Sequence, residues 1–246
     1  MNVKFNIVVL CYNCESYIKQ CIDSIKSQTY TNCNVVIIND NSTDNTHEVI
    51  AQNINKKFNY INNKSNTGPL SNHIKAIETF EYDPEAVIVH VDGDDLLLHP
   101  NVLSIVAKAY TKNTNHLVSY GNYVTTSGQK SICKLWDKNI NISNYIAPVG
   151  WIFSHLRTFK FKLWNYIDKN ISFYDSNKKI YTSAGDVAIM KPILELAGRG
   201  RTMFFNSPLY LYRDNTTLNE HNKNLNDQVR CALDIKTKKE YKIINE

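Results

Sequence analysis

The feature that most constrains the fold is an alternation, over residues 1 to 112, of short and nearly continuous apolar runs with segments of helical spacing. Phe5 to Leu10, Asn34 to Asn39 and Ala86 to Val91 are rich in β-branched residues and read as strands buried on both faces. Between the first two, Ile18, Cys21, Ile22 and Ile25 recur at helical spacing, which predicts a helix from Glu15 to Gln28 with Asn13 at its start. A strand, a helix and a strand in that order require parallel pairing and a right-handed crossover. Next come a helix capped by Ser42 or Thr43, with Val49, Ile50 and Ile54 inward, and a short strand from Tyr60 to Asn62. Asn66-Thr-Gly-Pro-Leu-Ser-Asn72 then opens a helix running through Phe80.

Beyond Pro100 a helix carries Val102, Leu103, Val106 and Tyr110, and after it the pattern becomes mixed. Leu117 to Thr125 and Ser131 to Trp136 flank Ser127-Gly-Gln and predict a hairpin. Leu156 to Ile167 and Val187 to Leu196 read as helices, the second closed by Gly198. Thr202 to Phe205 and Leu209 to Tyr212 read as two short strands, and Leu225 to Leu233 as a helical tail ending in a Lys-rich stretch. The chain of 246 residues can bury one sizeable core and contains no repeat or linker. One α/β domain is expected over 1 to 246, with residues 1–112 and 113–246 as its two halves.

Several classes are disfavoured. No apolar run approaches the ~18 residues of a membrane span, and the N-terminus enters a strand pattern at once with no signal peptide, so a cytoplasmic protein without a transmembrane segment is expected. A formal charge of +5 suits an anionic small molecule, and no basic stripe argues for nucleic acid. The six cysteines lack a secretory context and should be reduced thiols. Cys11 and Cys14 have Cys-x-x-Cys spacing, but no second pair completes a zinc site.

Three carboxylates, Asp92, Asp94 and Asp95, directly follow the strand ending at Val91. Ligands of open α/β sheets collect at the carboxyl ends of the strands. Charges this close repel unless a cation sits among them, so a bound divalent metal accounts for the cluster. An acidic, solvent-facing turn around Gly93 accounts for it equally well on sequence grounds alone. Asp40, at the end of the second strand, should share the same edge of the sheet.

Taken together, Val8-Val-Leu-Cys-Tyr-Asn13, Ile37-Ile-Asn-Asp-Asn-Ser-Thr-Asp44, Asn66 to Asn72, Val91-Asp-Gly-Asp-Asp95 and Gly185-Asp186 resemble, in order and spacing, glycosyltransferase family 2, inverting enzymes of the A-type glycosyltransferase fold. The resemblance implies a Rossmann-like, parallel-dominated sheet flanked by helices, with a mixed C-terminal half for the acceptor. It implies that Tyr12 packs on the nucleotide base, that Asp40 accepts a hydrogen bond from uracil, and that Asn72 faces the nucleotide, although helix capping explains Asn72 nearly as well. Asp92 would hold the ribose or a metal-bound water. Asp94 would bind Mn²⁺ or Mg²⁺, with His221 as a third protein ligand or simply a solvated side chain. Asp186 would be the general base, or an N-cap, or both. The family more often has Asp-Asp-Gly-Ser at 39 to 42 and Glu at 185, departures that leave both key carboxylates in place. Asp95 receives no role.

His155 and Arg157 fall in the region expected to meet the acceptor, where Arg157 pairs with a phosphate or with a surface carboxylate. Trp136, Trp151 and Trp164 serve as sugar platforms or as core. The implied activity is metal-dependent, inverting transfer from a UDP-sugar to a hydroxyl of a glycan, protein or small-molecule acceptor. Two alternatives remain: a non-catalytic nucleotide-sugar-binding protein, and a sugar-nucleotide pyrophosphorylase, against which the glycine-free stretch from Leu10 to Ile18 counts.

Overall fold

A computed structural model describes residues 3–146, 150–215 and 225–245. The elements in chain order are β1 (Phe5–Cys11), α1 (Ile18–Lys26), β2 (Cys33–Asn39), α2 (Thr46–Asn53), β3 (Phe58–Asn62), α3 (Pro69–Thr79), β4 (Val87–Asp92) and β5 (Leu96–Leu97). They continue with α4 (Val102–Lys112), β6 (Val118–Thr125), β7 (Thr158–Lys160), α5 (Lys169–Ser172), α6 (Gly185–Ala197), β8 (Thr202–Tyr212) and α7 (Leu225–Thr237). Among the described residues these eight strands form one mixed sheet in the order β3-β2-β1-β4-β7-β6-β8-β5.

The first four strands are parallel, as the strand–helix alternation requires. Their side chains alternate between two cores. Phe5, Ile7 and Val9 pack with Ile18, Ile22 and Ile25 of α1 and Val102, Leu103 and Val106 of α4. Val8, Val36, Ile38 and Ile88 face Leu70, Ala76 and Ile77 of α3 and the apolar side of α6. Full burial of each such side chain stabilises the fold by about 1.5–3 kcal/mol. Burial on both faces is why these strands are continuous apolar runs in the sequence.

The second half departs from the expectations in three places. Leu156 to Ile167 is not a helix: β7 inserts antiparallel between β4 and β6, and a 3₁₀ segment follows over Phe161–Tyr166. The second arm of the hairpin does not form, because the Tyr120 hydroxyl accepts from the Trp136 amide and donates to the Lys134 carbonyl in place of a strand ladder. Only an isolated bridge between Val124 and Lys130 remains of it among the described residues. The two expected C-terminal strands are one, β8, which runs parallel to β6 with a register shift between Gly121 and Tyr123. Proline has no amide to donate, and Pro208 lies in the stretch of β8 opposite that irregularity.

Smaller departures tie the loops of the carboxyl edge together. Asn13 does not cap α1, whose N-cap is Tyr17; the Asn13 side chain accepts from the Thr43 amide at 2.7 Å. Ser42 and Thr43 accordingly face Asn13, and Asp44 accepts from the Thr46 amide at the start of α2. Trp164 and Trp136 are buried in the core, while Trp151 is half-buried against it.

Candidate active site

The carboxyl edge of the parallel strands gathers residues from β1, β2, α3, β4, β7, β8 and α6. Asp40, 5% exposed, follows β2 directly. Its Oδ1 accepts from Asn63 Nδ2 at 2.9 Å, the Thr67 amide at 2.9 Å and Thr67 Oγ1 at 3.2 Å, while Oδ2 accepts from the Gly68 amide at 2.9 Å. Burial opposes ionisation of this carboxyl, but the donors Asn72, Thr67, Asn63 and Gly68 outweigh it and hold its pKa below the ordinary value. Asp40 therefore clamps the turn that opens α3.

Asn72 belongs to the same network. It is 2% exposed, accepts from Asn63 at 2.8 Å and Thr67 Oγ1 at 3.1 Å, and donates to the Gly68 carbonyl at 2.9 Å. Each end of its amide is engaged within the protein. Tyr12 has the opposite character. It follows β1 beside Asp40, whose amide donates to the Cys11 carbonyl, and its side chain stands 45% exposed. Cys11 and Cys14 flank it as buried free thiols, and burial pushes the Cys11 thiol well above its ordinary pKa.

Asp92, the last residue of β4, lies between two side chains of a single segment. Arg157 Nη2 is 3.5 Å from Asp92 Oδ2, and His155 Nδ1 is 4.0 Å from the same oxygen. Arg157 Nη1 reaches Asp186 Oδ2 at 3.2 Å. The structure thus brings together Asp92 and Asp186, which are far apart in the chain. Asp186 is in the first turn of α6, after Ala184 at φ 54°, so it sits inside the helix start and is not the N-cap. Burial raises the pKa of Asp92, with Arg157 pulling it down and Asp186 pushing it up. Burial disfavours the charge on Arg157, yet Asp92 and Asp186 more than restore it.

His155 and Arg157 lie in the segment directly before β7, and both side chains approach the same oxygen of Asp92. The His155 ring stacks on Tyr210 at 4.4 Å and on Tyr212 at 5.4 Å, which fixes its plane. Burial and the Arg157 charge hold His155 well below the ordinary histidine pKa, so it is a neutral imidazole. Tyr210 also accepts from the Asp92 amide through its hydroxyl at 2.9 Å. Asp95, 1% exposed, accepts from the Arg213 amide at 2.7 Å. Its pKa is raised well above the ordinary value by burial and then by Asp94 and Asp92.

Asp92, Asp95 and His155 each offer a ligand atom within 4.8 Å of the others. Asp95 Oδ2 and His155 Nδ1 are buried with no protein hydrogen-bond partner, so both residues keep a polar atom that the protein does not satisfy. A set of two carboxylates and a neutral imidazole fits a hard divalent cation. Asp94 is half-buried beside them. His221 lies outside the described residues. His155, Asp95, Tyr210 and Tyr212 received no ligand or positioning role from the sequence. The signal available for the tyrosines was their period-two spacing in Leu209-Tyr-Leu-Tyr212, which puts them on one face of a strand.

No helix among the described residues is long and apolar enough to cross a membrane. The model of the family "Glycosyl transferase family 2" matches residues 6–183. An uncharacterized glycosyltransferase of Haemophilus influenzae is 31% identical over 121 residues, covering 48% of this chain and 36% of that protein. Chondroitin synthase of Pasteurella multocida is 29% identical over 231 residues, covering 91% of this chain and 22% of that protein. This chain thus spans well under half the length of these curated relatives. Among solved structures, S. aureus TarS 1-349 in complex with UDP-GlcNAc superposes with a TM-score of 0.67 at 19% identity, covering 87% of this chain and 59% of that one. Glucosyl-3-phosphoglycerate synthase from Mycobacterium tuberculosis, in complex with Mn²⁺, UDP-glucose and phosphoglyceric acid, gives 0.65 at 11% identity, covering 99% of this chain and 88% of that one. The fold is that of A-type glycosyltransferases, and the chain belongs to glycosyl transferase family 2.

Proposed function

We propose that this protein is a metal-dependent, inverting glycosyltransferase that moves a sugar from a UDP-sugar to an acceptor hydroxyl, with Asp186 as the general base. The observation that carries this reading is the pairing of Asp92 and Asp186 across one buried guanidinium, at the sheet edge where α/β proteins bind ligands. A carboxylate beside the nucleotide and a carboxylate beside the acceptor are the two ends such a reaction needs. UDP and UDP-sugar complexes of structures with this fold support the choice of donor.

In this reading Tyr12 stacks on the base through its exposed ring. Asp40 faces uracil through Oδ2, which has one protein donor where Oδ1 has three. Asn72, whose oxygen accepts from Asn63 and Thr67 and whose Nδ2 donates to the Gly68 carbonyl, acts by holding Asp40 and the α3 turn in place. Asp92 and Asp94 would face the diphosphate, with Asp95 and His155 as further donors and His221 as a further proposed ligand. An Mn²⁺ or Mg²⁺ bound there would offset the charge that develops on the departing diphosphate.

Asp186 takes the proton of the acceptor hydroxyl as that oxygen bonds to the anomeric carbon and the bond to UDP breaks. Such a base contributes typically 10²–10⁴-fold in rate. Attack opposite the leaving group converts an α-linked donor into a β-linked product. The acceptor is a hydroxyl of a glycan, protein or small molecule.

The test is UDP release with Mn²⁺ and a panel of nucleotide sugars, with and without sugar acceptors. Asp186→Asn is expected to bind UDP with Mn²⁺ as wild type does and to lose transfer. Asp94→Ala is expected to lose the Mn²⁺-dependent part of UDP affinity in calorimetry. Full transfer by Asp186→Asn would remove the base, binding without turnover in the wild type would favour a nucleotide-sugar-binding protein, and pyrophosphate-dependent UTP formation would favour a pyrophosphorylase.

A further inference from the structure

We propose that Arg157 is a positioning residue that sets the base Asp186 at a fixed distance from the donor-side carboxylate Asp92, so that the two ends of the reaction are held by one side chain. The proposal rests on the reading of Asp186 as the base. Arg157 is 5% exposed, and its described polar side-chain contacts are these two carboxylates, at 3.5 Å through Nη2 and 3.2 Å through Nη1. Its Nε has no protein partner, so no other group holds the guanidinium in plane.

The backbone beneath it is fixed. Val89 pairs with Thr158 in the antiparallel ladder of β4 and β7, and the Arg157 carbonyl accepts from the His90 amide at 3.2 Å. Arg157 is thus anchored to the same strand that carries Asp92. Asp186 comes from the other side of the sheet edge, on α6, whose start packs against α3: a Cβ on Gly185 would lie 3.7 Å from Leu70 Cβ. Packing alone brings α6 to the edge. The Arg157 fork then selects where the Asp186 carboxylate sits.

A guanidinium suits this task for a geometric reason. Its two Nη atoms are a rigid fork about 2.3 Å apart and can serve two carboxylates at once, whereas an ammonium is a point charge on a flexible stem. Without the cation, Asp92 and Asp186 repel, and the free rotamers of Asp186 turn toward solvent, which lies on the open side of the site. The consequence falls on the chemical step and leaves the nucleotide subsite at Tyr12 and Asp40 untouched.

The experiment compares Arg157→Gln, Arg157→Lys, Asp186→Asn and the Arg157→Gln/Asp186→Asn double variant. Each is measured for UDP affinity with Mn²⁺ by calorimetry and for kcat and KM of UDP release with the donor that the panel identifies. Arg157→Gln is expected to lower kcat by about 10²-fold while UDP affinity stays within about threefold, since misplacing a reacting group costs on that order. Arg157→Lys should recover no more than about a tenth of the wild-type rate. The double variant should be no slower than Asp186→Asn, because both act on the same step.

If Arg157→Gln does not fold, the Lys variant, which keeps the buried charge, carries the test through its kcat. Wild-type kcat in either folded variant overturns the proposal, as does a fall in UDP affinity that matches the fall in rate. An inactive Asp186→Asn beside a fully active Arg157→Gln keeps the base and removes only the positioning role. An active Asp186→Asn removes the base, and the positioning role with it.

Discussion

Asp40→Asn tests whether the clamp at the start of α3 depends on a carboxylate and not merely on a polar side chain. In the wild type, three donors converge on Oδ1 and the Gly68 amide donates to Oδ2 at 2.9 Å. An asparagine serves the three donors best by turning its carbonyl to them, which points its NH₂ at the Gly68 N–H. One hydrogen bond to a charged acceptor is lost, about 1.5–3 kcal/mol, and two donors are left facing each other. The other three weaken from charge-assisted to neutral, roughly halving their strength. We expect a loss of about 3–5 kcal/mol in all, or a fall in Tm on the order of 10 °C for a chain of this size. Thermal unfolding by circular dichroism reads it directly. The pH dependence supplies a second check, with its sign fixed by linkage. Because the folded-state pKa of Asp40 is depressed, its stabilisation is present above the unfolded value of about 3.9 and is lost as pH falls through the folded value. The gap between wild type and variant should therefore be widest near neutrality and narrow below about pH 4. A variant melting within about 2 °C of wild type at neutral pH, or a gap that does not narrow in acid, refutes the reasoning.

Other substitutions probe the same edge and the core behind it. A Cβ at Gly93 would lie 2.7 Å from Cys11 Sγ and 2.7 Å from the Leu10 carbonyl, so Gly93→Ala must push β4 away from β1. A stability loss of about 1–3 kcal/mol and a matching loss of Mn²⁺-dependent UDP affinity are expected; unchanged unfolding and binding would show that the edge yields freely. Within α6, Lys191 and Glu195 form an ion pair at 2.7 Å with side chains 3% and 6% exposed. Lys191→Met alone should destabilise by about 3–5 kcal/mol by stranding Glu195, and adding Glu195→Leu should recover most of that in the same denaturation assay. A double variant no more stable than the single would mean that the charge of Glu195 is not what the single variant exposes.

The parallel half was legible in the sequence because each strand there is covered on both faces. Val35 to Ile38 and Val87 to Val91 had no solvent side to interrupt the apolar run, and the helices between them kept one inward stripe. The misread segments share a different property: their local spacing agrees with one structure and their partners with another. Leu156, Phe159, Leu163 and Ile167 are all buried at intervals a helix would give, yet Phe159 pairs across to Ile88 and Val118. Two flanking strands decided that segment, and neither adjoins it in the chain. Ser131 to Trp136 failed in the opposite way, since Ile132 and Leu135 are 59% and 60% exposed and the segment has no second face to bury.

The same division runs through the candidate site. Asp92, Asp94 and Asp95 stood out because they end an apolar run at a place where ligands gather, and Asp186 because of the resemblance of Gly185-Asp186 to the family motif. The cation between them, Arg157, was named from the sequence only for the acceptor region, with a phosphate or a surface carboxylate as its partner and not Asp92 and Asp186. Arg157 sits in Ser154-His-Leu-Arg-Thr158, a segment that carries no motif and runs into the stretch from Leu156 that reads as helical. With Thr158 to Lys160 laid as a strand beside β4, the residues just before it run along the carboxyl edge, and His155 and Arg157 both reach Asp92. The error in secondary structure and the unseen partners of Arg157 are therefore one event: the insertion of β7 between β4 and β6 both overrides the local spacing and carries the guanidinium to the carboxylates. A helix over the same residues would turn His155 and Arg157 about 200° apart around its axis, and one segment could not then offer both side chains to Asp92.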